Sequence, residues 1–246
     1  MKILFSPSEA KRAGGDGTPF GRDSFIWADK FDYREEILTL YNEYMSSATI
    51  EQRMKLLGTK KQSVAEHYSV DIFTQPTMKA VERYSGVGYE YLDYASLDSE
   101  AREYIDSSVV IFSNLFGAVM AGDRGLPDYK LKQGEKIDDI APEQFYKKHF
   151  TSSLEEMLGA EPYLDLRAGF YNKFYKPSTP YTTLKFLKDG KVVSHWAKAY
   201  RGITLRAAAI NNIQSIDEFI ALPIEGLQIL EIQQKGIHSE VVYEIV

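Results

Sequence analysis

A chain of 246 residues that is 44% hydrophobic and 13% aromatic has ample apolar surface for a buried core, which excludes disorder over most of its length. Its 29 Lys and Arg against 35 Asp and Glu leave a net charge of −6, so no global field draws nucleic acid or an anionic membrane, and any anion site is local. Zero cysteines exclude disulfides, iron–sulfur ligation, thiolate zinc and cysteine nucleophiles, and His67, His149, His195 and His238 fall in no metal-ligand spacing.

The apolar run Ile3 to Phe5 predicts a strand bound for the core, and it ends abruptly in Ser6, Pro7, Ser8, Glu9 and Lys11. Ala13 to Arg22, with four glycines and a proline, predicts a mobile loop. Helical spacing of apolar residues predicts helices over Tyr33 to Met45, Thr49 to Leu57 and Lys60 to Phe73, the last two joined through Gly58. Pro76 opens a further expected helix through Tyr84, which gives way to Ser85, Gly86 and Gly88. Ser99 to Ser107 reads as a helix and Val109 to Phe112 as a strand that ends in Ser113, Asn114 and Gly117. A polar stretch from Gly122 to Gly134 follows. An amphipathic helix is expected over Pro142 to Leu158, and a short strand over Tyr163 to Leu166.

Thr182 to Trp196 alternates around Asp189-Gly190, the two-residue signature of a hairpin turn. A helix from about Ala199 to Asn211 carries Arg201 and Arg206, and Leu227 to Val246 reads as a closing hairpin around Lys235-Gly236. These elements predict an α+β fold, a single domain over residues 1–246 with a mixed central sheet and surrounding helices. If Ile3 to Phe5, Val109 to Phe112 and Tyr163 to Leu166 neighbour one another, their polar ends line one cleft. No run is long and apolar enough to span a bilayer, and the N-terminus lacks the apolar region of a secretory signal, so a cytoplasmic protein with no membrane partner is expected.

Taken alone, Ser6-Pro7-Ser8-Glu9-Ala10-Lys11 is a turn with a helix-capping serine. Together with four later blocks it resembles the YaaA family of peroxide-stress proteins, nearly end to end. The opening block is similar to the family's P-P-S-E-G-K, with Ala10 for the usual Gly. Tyr84-Ser85-Gly86-Val87-Gly88-Tyr89 resembles Y-[ST]-G-V-L-Y, and Ser113 to Ala118 resembles S-G-L-Y-G-[VL], with Asn114 for a Gly. Pro127-Asp128-Tyr129-Lys130-Leu131 is similar to P-Y-R-L, with Lys130 where Arg is usual, which keeps the charge and gives up the bidentate fork. Asp165-Leu166-Arg167 with Tyr171 and the K-x-x-R-G-x-x-x-R pattern from Lys198 to Arg206 complete the set.

The matched blocks supply six cations: Lys11, Lys130, Arg167, Lys198, Arg201 and Arg206. If they converge they form a positive pocket suited to phosphate, with Ser6, Ser8, Ser85, Tyr89, Ser113 and Tyr129 as further binding candidates. If they do not, they are solvated surface charges. Glu9 and Asp165 either orient the cations or serve as general acid and base. The resemblance also implies DNA binding by a helix-hairpin-helix element, and a part in limiting peroxide and iron-linked damage. Here Gly58, Lys60 and Lys61 provide the turn and its charges, with Lys60 where a second glycine is usual; an ordinary αα-hairpin is the other reading. Two functions follow: a protein gripping double-stranded DNA by its phosphates, or an enzyme acting on a nucleotide or phosphorylated small molecule in a basic cleft. No metal or cofactor is expected.

Overall fold

The computed structural model describes residues 1–193 and 196–246; Ser194 and His195, at the end of the Thr182 to Trp196 hairpin, lie outside the described residues. Strand β1, Ile3–Phe5, is buried at all three positions, as an inner parallel strand with covered faces requires. The glycine-rich segment that follows is tied down. Gly17 and Thr77 exchange backbone hydrogen bonds of 3.0 and 3.2 Å, and the buried Arg83 guanidinium donates to the carbonyls of Arg12 and Gly14.

Helix α1, Phe31–Ser47, buries Phe31, Ile37, Leu38, Tyr41 and Met45 along one stripe. Helix α2, Ile50–Leu57, starts on a capping box between Thr49 and Gln52 and stops at Gly58, which takes the left-handed φ of 63°. Helix α3, Gln62–His67, is only six residues long, because Asp71 caps a separate 3-10 turn at Ile72–Thr74. The two form a short αα-hairpin. With no side-chain cap at Lys61 and a lysine at the second glycine position, the helix-hairpin-helix expectation is not confirmed.

The helix expected from Pro76 to Tyr84 is half strand: β2, Thr77–Met78, precedes a short α4, Ala80–Arg83. Helix α5, Val87–Leu92, forms where the expected helix gives way to Ser85, Gly86 and Gly88. Asp98 caps α6, Ser99–Ser108, which runs into β3, Val109–Ser113. A tight return gives β4, Gly117–Met120, and then β5, Leu126–Pro127, which pairs antiparallel with β2. Helix α7 spans Pro142–Leu158, with proline in its first turn, and leads to β6, Tyr163–Leu166. Strands β7, Tyr181–Lys188, and β8, Lys191–Val192, form the expected hairpin at Asp189-Gly190, both residues having positive φ. Then come α8, Trp196–Ile210, α9, Ile216–Ala221, and the closing hairpin β9, Leu227–Lys235, with β10, His238–Ile245.

Among the described residues eight strands make the main sheet, in the order β4-β3-β1-β6-β7-β10-β9 with β8 beside β7. β3, β1, β6, β7 and β10 run parallel, and β4, β8 and β9 run against them. The fold is therefore α+β on a mixed central sheet, with one continuous core from Ile3 to Ile245. Phe5 is level with Ile111 on one side and Leu166 on the other, so three polar strand ends open on the same edge. Among the described residues no helix is long and apolar enough to cross a membrane.

Candidate functional site

The end of β1 is stitched to its neighbours before it reaches solvent. Ser6 Oγ accepts from the Ala168 backbone N at 2.7 Å, and Tyr89 of α5 donates its hydroxyl to the Ser6 carbonyl at 2.9 Å. Ser8 Oγ accepts from Ala10 N and packs on Gly86, where an added Cβ would lie 2.7 Å from that oxygen; with φ 104°, only glycine sits there without strain. Residues 10–12 then run antiparallel to 83–85, with Ser85 N donating to Ala10 O at 3.0 Å and Arg12 N to Arg83 O at 2.9 Å.

This fixes Lys11. Its ammonium donates to the carbonyls of Ser8 and Glu9 at 3.3 and 3.4 Å, long for such bonds, and lies 4.1 Å from the ring centre of Tyr129 and 5.4 Å from that of Tyr84. The rings are immobilised by their hydroxyls: Tyr84 meets Tyr129 at 2.8 Å, and Tyr129 meets Ser113 Oγ at 2.6 Å. Ser113 Oγ in turn accepts from the Phe116 and Leu115 backbone N at 2.8 and 3.3 Å. Burial pushes the Lys11 amine down to about 7; Lys130 acts in the same direction, whereas Asp128 and Glu9 oppose it. Burial likewise raises the phenols of Tyr84 and Tyr129, so both are neutral donors and acceptors.

Lys11 opens on a hollow of about 130 Å³ lined by Glu9, Lys11, Leu57, Gly58, Lys130, Leu131 and Lys132. Its far wall is the 130–132 segment, held by Lys132 N to Leu56 O at 3.0 Å and by the Tyr41 hydroxyl to Lys130 O at 3.0 Å. Gly58 belongs here because an added Cβ would meet the Lys132 side chain at 2.7 Å. Lys132 pairs with Glu135 at 2.7 Å, whereas Lys11 and Lys130 have no carboxylate partner among the described residues. Lys60 and Lys61 are exposed just beyond Gly58.

The remaining candidates divide. Asp165 and Arg167 form a buried pair at the end of β6, with Oδ1 to Nε at 2.9 Å and Oδ2 to a terminal nitrogen at 2.7 Å. The other terminal nitrogen donates to the carbonyls of Tyr171 and Tyr175, both at 3.1 Å, and Asn172 takes the remaining proton. All five donors of Arg167 are thus used within the protein, and Asp165 orients rather than presents. Arg206 donates to the carbonyls of Leu92 and Asp93, both at 2.9 Å, and so closes the end of α5. Gly202 serves the same contact, since an added Cβ would lie 2.1 Å from the Gly88 carbonyl. Arg201 is half-buried, its guanidinium pushed down by burial against the pull of Asp165, and Lys198 is exposed on α8.

The structure therefore brings Glu9, Lys11, Lys130 and Gly58 to one hollow, with Ser113 and Tyr129 behind Lys11. Ser6, Ser8, Ser85 and Tyr89 shape the loop around it. Arg167 and Arg206 turn inward. Lys132 and Tyr84 were not among the candidates; the i, i+2 spacing of Lys130 and Lys132, which aligns side chains in an extended segment, was the available signal for the first.

A family model described as peroxide stress protein YaaA matches residues 1–233. An uncharacterised protein of Campylobacter jejuni is 46% identical over 245 residues, covering 100% of this chain and 99% of the relative. A UPF0246 protein of Corynebacterium glutamicum is 30% identical, covering 98% of both chains, and one of Streptomyces coelicolor is 31% identical, covering 84% of this chain and 82% of its own.

Proposed function

The chain belongs to the YaaA family of peroxide-stress proteins, and from that premise we propose that it binds double-stranded DNA through the phosphates, without reading bases. The observation that carries this is the alignment of cations beside one turn: Lys11, Lys130 and Lys132 line the hollow that Gly58 closes, and Lys60 and Lys61 stand exposed beyond it. Among the described residues Lys60, Lys61 and Lys130 have no carboxylate partner, unlike Lys132, so their charge is available to a phosphate, and lysine suits a mobile backbone contact that needs no fixed fork. The net charge of −6 does not oppose this, because charges further away than a Debye length of about 8 Å are screened. Held on the duplex, the protein would serve peroxide defence where the damage falls, including iron-linked damage. Among the described residues no three His, Asp or Glu side chains converge to hold a metal themselves.

The test is a salt-titrated duplex shift assay on the full chain and on the double variant Lys60→Glu, Lys61→Glu. Each phosphate contact adds about 0.9 to the slope of log affinity against log salt, so the double variant should lose about 2 from that slope. No shift of duplex even at low ionic strength would overturn the proposal. A second reading, an enzyme acting on a nucleotide or phosphorylated small molecule, draws support from the partly enclosed Lys11. A thermal-shift screen with nucleotides, set against duplex, separates the two.

A further inference from the structure

Lys11 is placed unlike a phosphate-gripping lysine. It is the innermost cation of the hollow, set against two aromatic ring faces whose hydroxyls are committed to each other and to Ser113. No carboxylate reaches it among the described residues, and its two carbonyl contacts are long. Half-buried Lys130 and exposed Lys132 line the same hollow, with Glu9 exposed beside them. The arrangement is an amine set on aromatic rings with further cations on the same hollow, and a neighbouring cation is one of the settings that activate lysine as a nucleophile.

We propose that the Lys11 amine condenses with an aldehyde carried beside a phosphate, forming an imine in this hollow. The inference rests on the phosphate-binding reading of the same hollow. That chemistry has two sources, the abasic deoxyribose of a duplex that has lost a base and a free phosphorylated sugar. At about 130 Å³ the hollow is smaller than the ~300–1,000 Å³ of ordinary ligand pockets, and suits an open-chain sugar without its base. Lys130 and Lys132 would hold the adjoining phosphate.

The nitrogen lone pair attacks the carbonyl carbon to give a carbinolamine. The C–O bond then breaks and the oxygen leaves as water, taking one proton from the nitrogen and one from Glu9 or solvent; the protonated imine so formed gives its remaining N–H proton back to Glu9 or solvent. Amine plus aldehyde gives imine plus water, with no oxidant or reductant. Burial, helped by Lys130 and Arg83, outweighs the pull of Asp128 and Glu9 and brings the amine down to about 7. Near pH 7.5 most of Lys11 is then neutral, against about one in a thousand for an ordinary lysine.

The full chain is incubated with sodium cyanoborohydride, which fixes an imine as a stable amine, and with one of three probes. These are a duplex containing one abasic site, the intact duplex of the same sequence, and glyceraldehyde 3-phosphate. The expected result is a saturable adduct mapped by peptide mass spectrometry to Lys11, from the abasic duplex, the sugar phosphate or both, and none from intact duplex. Lys11→Arg should reduce it at least tenfold, and the rate should rise between pH 6 and 8 and then level. Adduct from only one aldehyde identifies the source. No adduct at Lys11 from either aldehyde, or labelling shared evenly with Lys130 and Lys132, overturns the proposal, and mapping on the unmodified chain makes this independent of whether the variant folds. Intact duplex binding is scored separately. If duplex binds and no imine forms, this inference alone fails; if the sugar phosphate is trapped and duplex does not bind, the DNA reading alone fails.

Discussion

Replacing Gly202 by alanine tests how α8 is seated. The added Cβ would lie 2.1 Å from the Gly88 carbonyl oxygen and 3.0 Å from both the Gly88 carbonyl carbon and the Leu92 nitrogen, whereas real Cβ atoms essentially never come closer than 3.0 Å. All three are backbone atoms of α5, so no side chain can swing aside and the helices must part. Overpacking of this kind costs about 1–3 kcal/mol, and the better helix propensity of alanine returns about 0.5–1 kcal/mol. A 2.1 Å approach to backbone takes the upper end of that cost, so the net is about 2–2.5 kcal/mol, or about 4–10 °C in Tm for a chain of this size. The displacement should also reach the site, because Tyr89 on α5 holds the Ser6 carbonyl. Thermal unfolding by circular dichroism measures the first effect, and duplex affinity measures the second. Gly169→Ala is the control: its added Cβ meets nothing within 4 Å, and Tm should hold. A Gly202→Ala protein as stable as the parent would refute the close-contact argument.

Asp165→Ala leaves the buried Arg167 guanidinium uncompensated and should cost about 3–5 kcal/mol, a fall of about 6–20 °C in Tm; pairing it with Arg167→Met should recover part of the loss, and a single variant of unchanged stability would count against the pair. Asp123 is a buried carboxyl that accepts from the Ile26 and Met120 backbone N at 3.0 and 2.9 Å, and burial raises its pKa to about 6. The native state therefore holds this proton more tightly than the unfolded chain does, so stability from this group is complete below about pH 4 and falls as pH rises through 6, by about 3 kcal/mol in all. Denaturant midpoints at pH 4, 5 and 8 should show that slope in the parent and lose it in Asp123→Asn; equal slopes would refute the assignment.

The parts of this fold legible in the sequence are those whose pattern is local. β1, β3 and β6 are short apolar runs that end in polar residues, and α7 announces itself with a proline at its start and a 3.6-residue stripe. Helix α5 was illegible because Gly86 and Gly88 mark only the end of the preceding helix, while the reason for Gly88 is a contact with α8 more than a hundred residues on. Thr77 reads as helix from spacing and is a strand because Pro127 and Leu126 arrive to pair with β2. The site shows the same division. The residue type at position 11 is plain in the sequence, but its aromatic enclosure depends on Tyr84 and Tyr129 from distant segments.

The cations of this protein are sorted by chemistry. Arg34, Arg83 and Arg167 are nearly or wholly buried, and each spends its guanidinium on backbone carbonyls or a carboxylate. A guanidinium stays charged, so a buried one has to be fully partnered, and its planar fork lets one side chain satisfy several loop carbonyls at once. Such a group holds strand ends together and has nothing left for a ligand. An ammonium can remain at the rim of a recess with its donors turned to solvent, or shed its proton where water is scarce. Lysine at positions 11, 130 and 132 therefore keeps the hollow both basic and chemically adjustable, while the arginines around it fix its shape. On this argument the positive charge that matters for function in an acidic chain is the small part that folding leaves unspent.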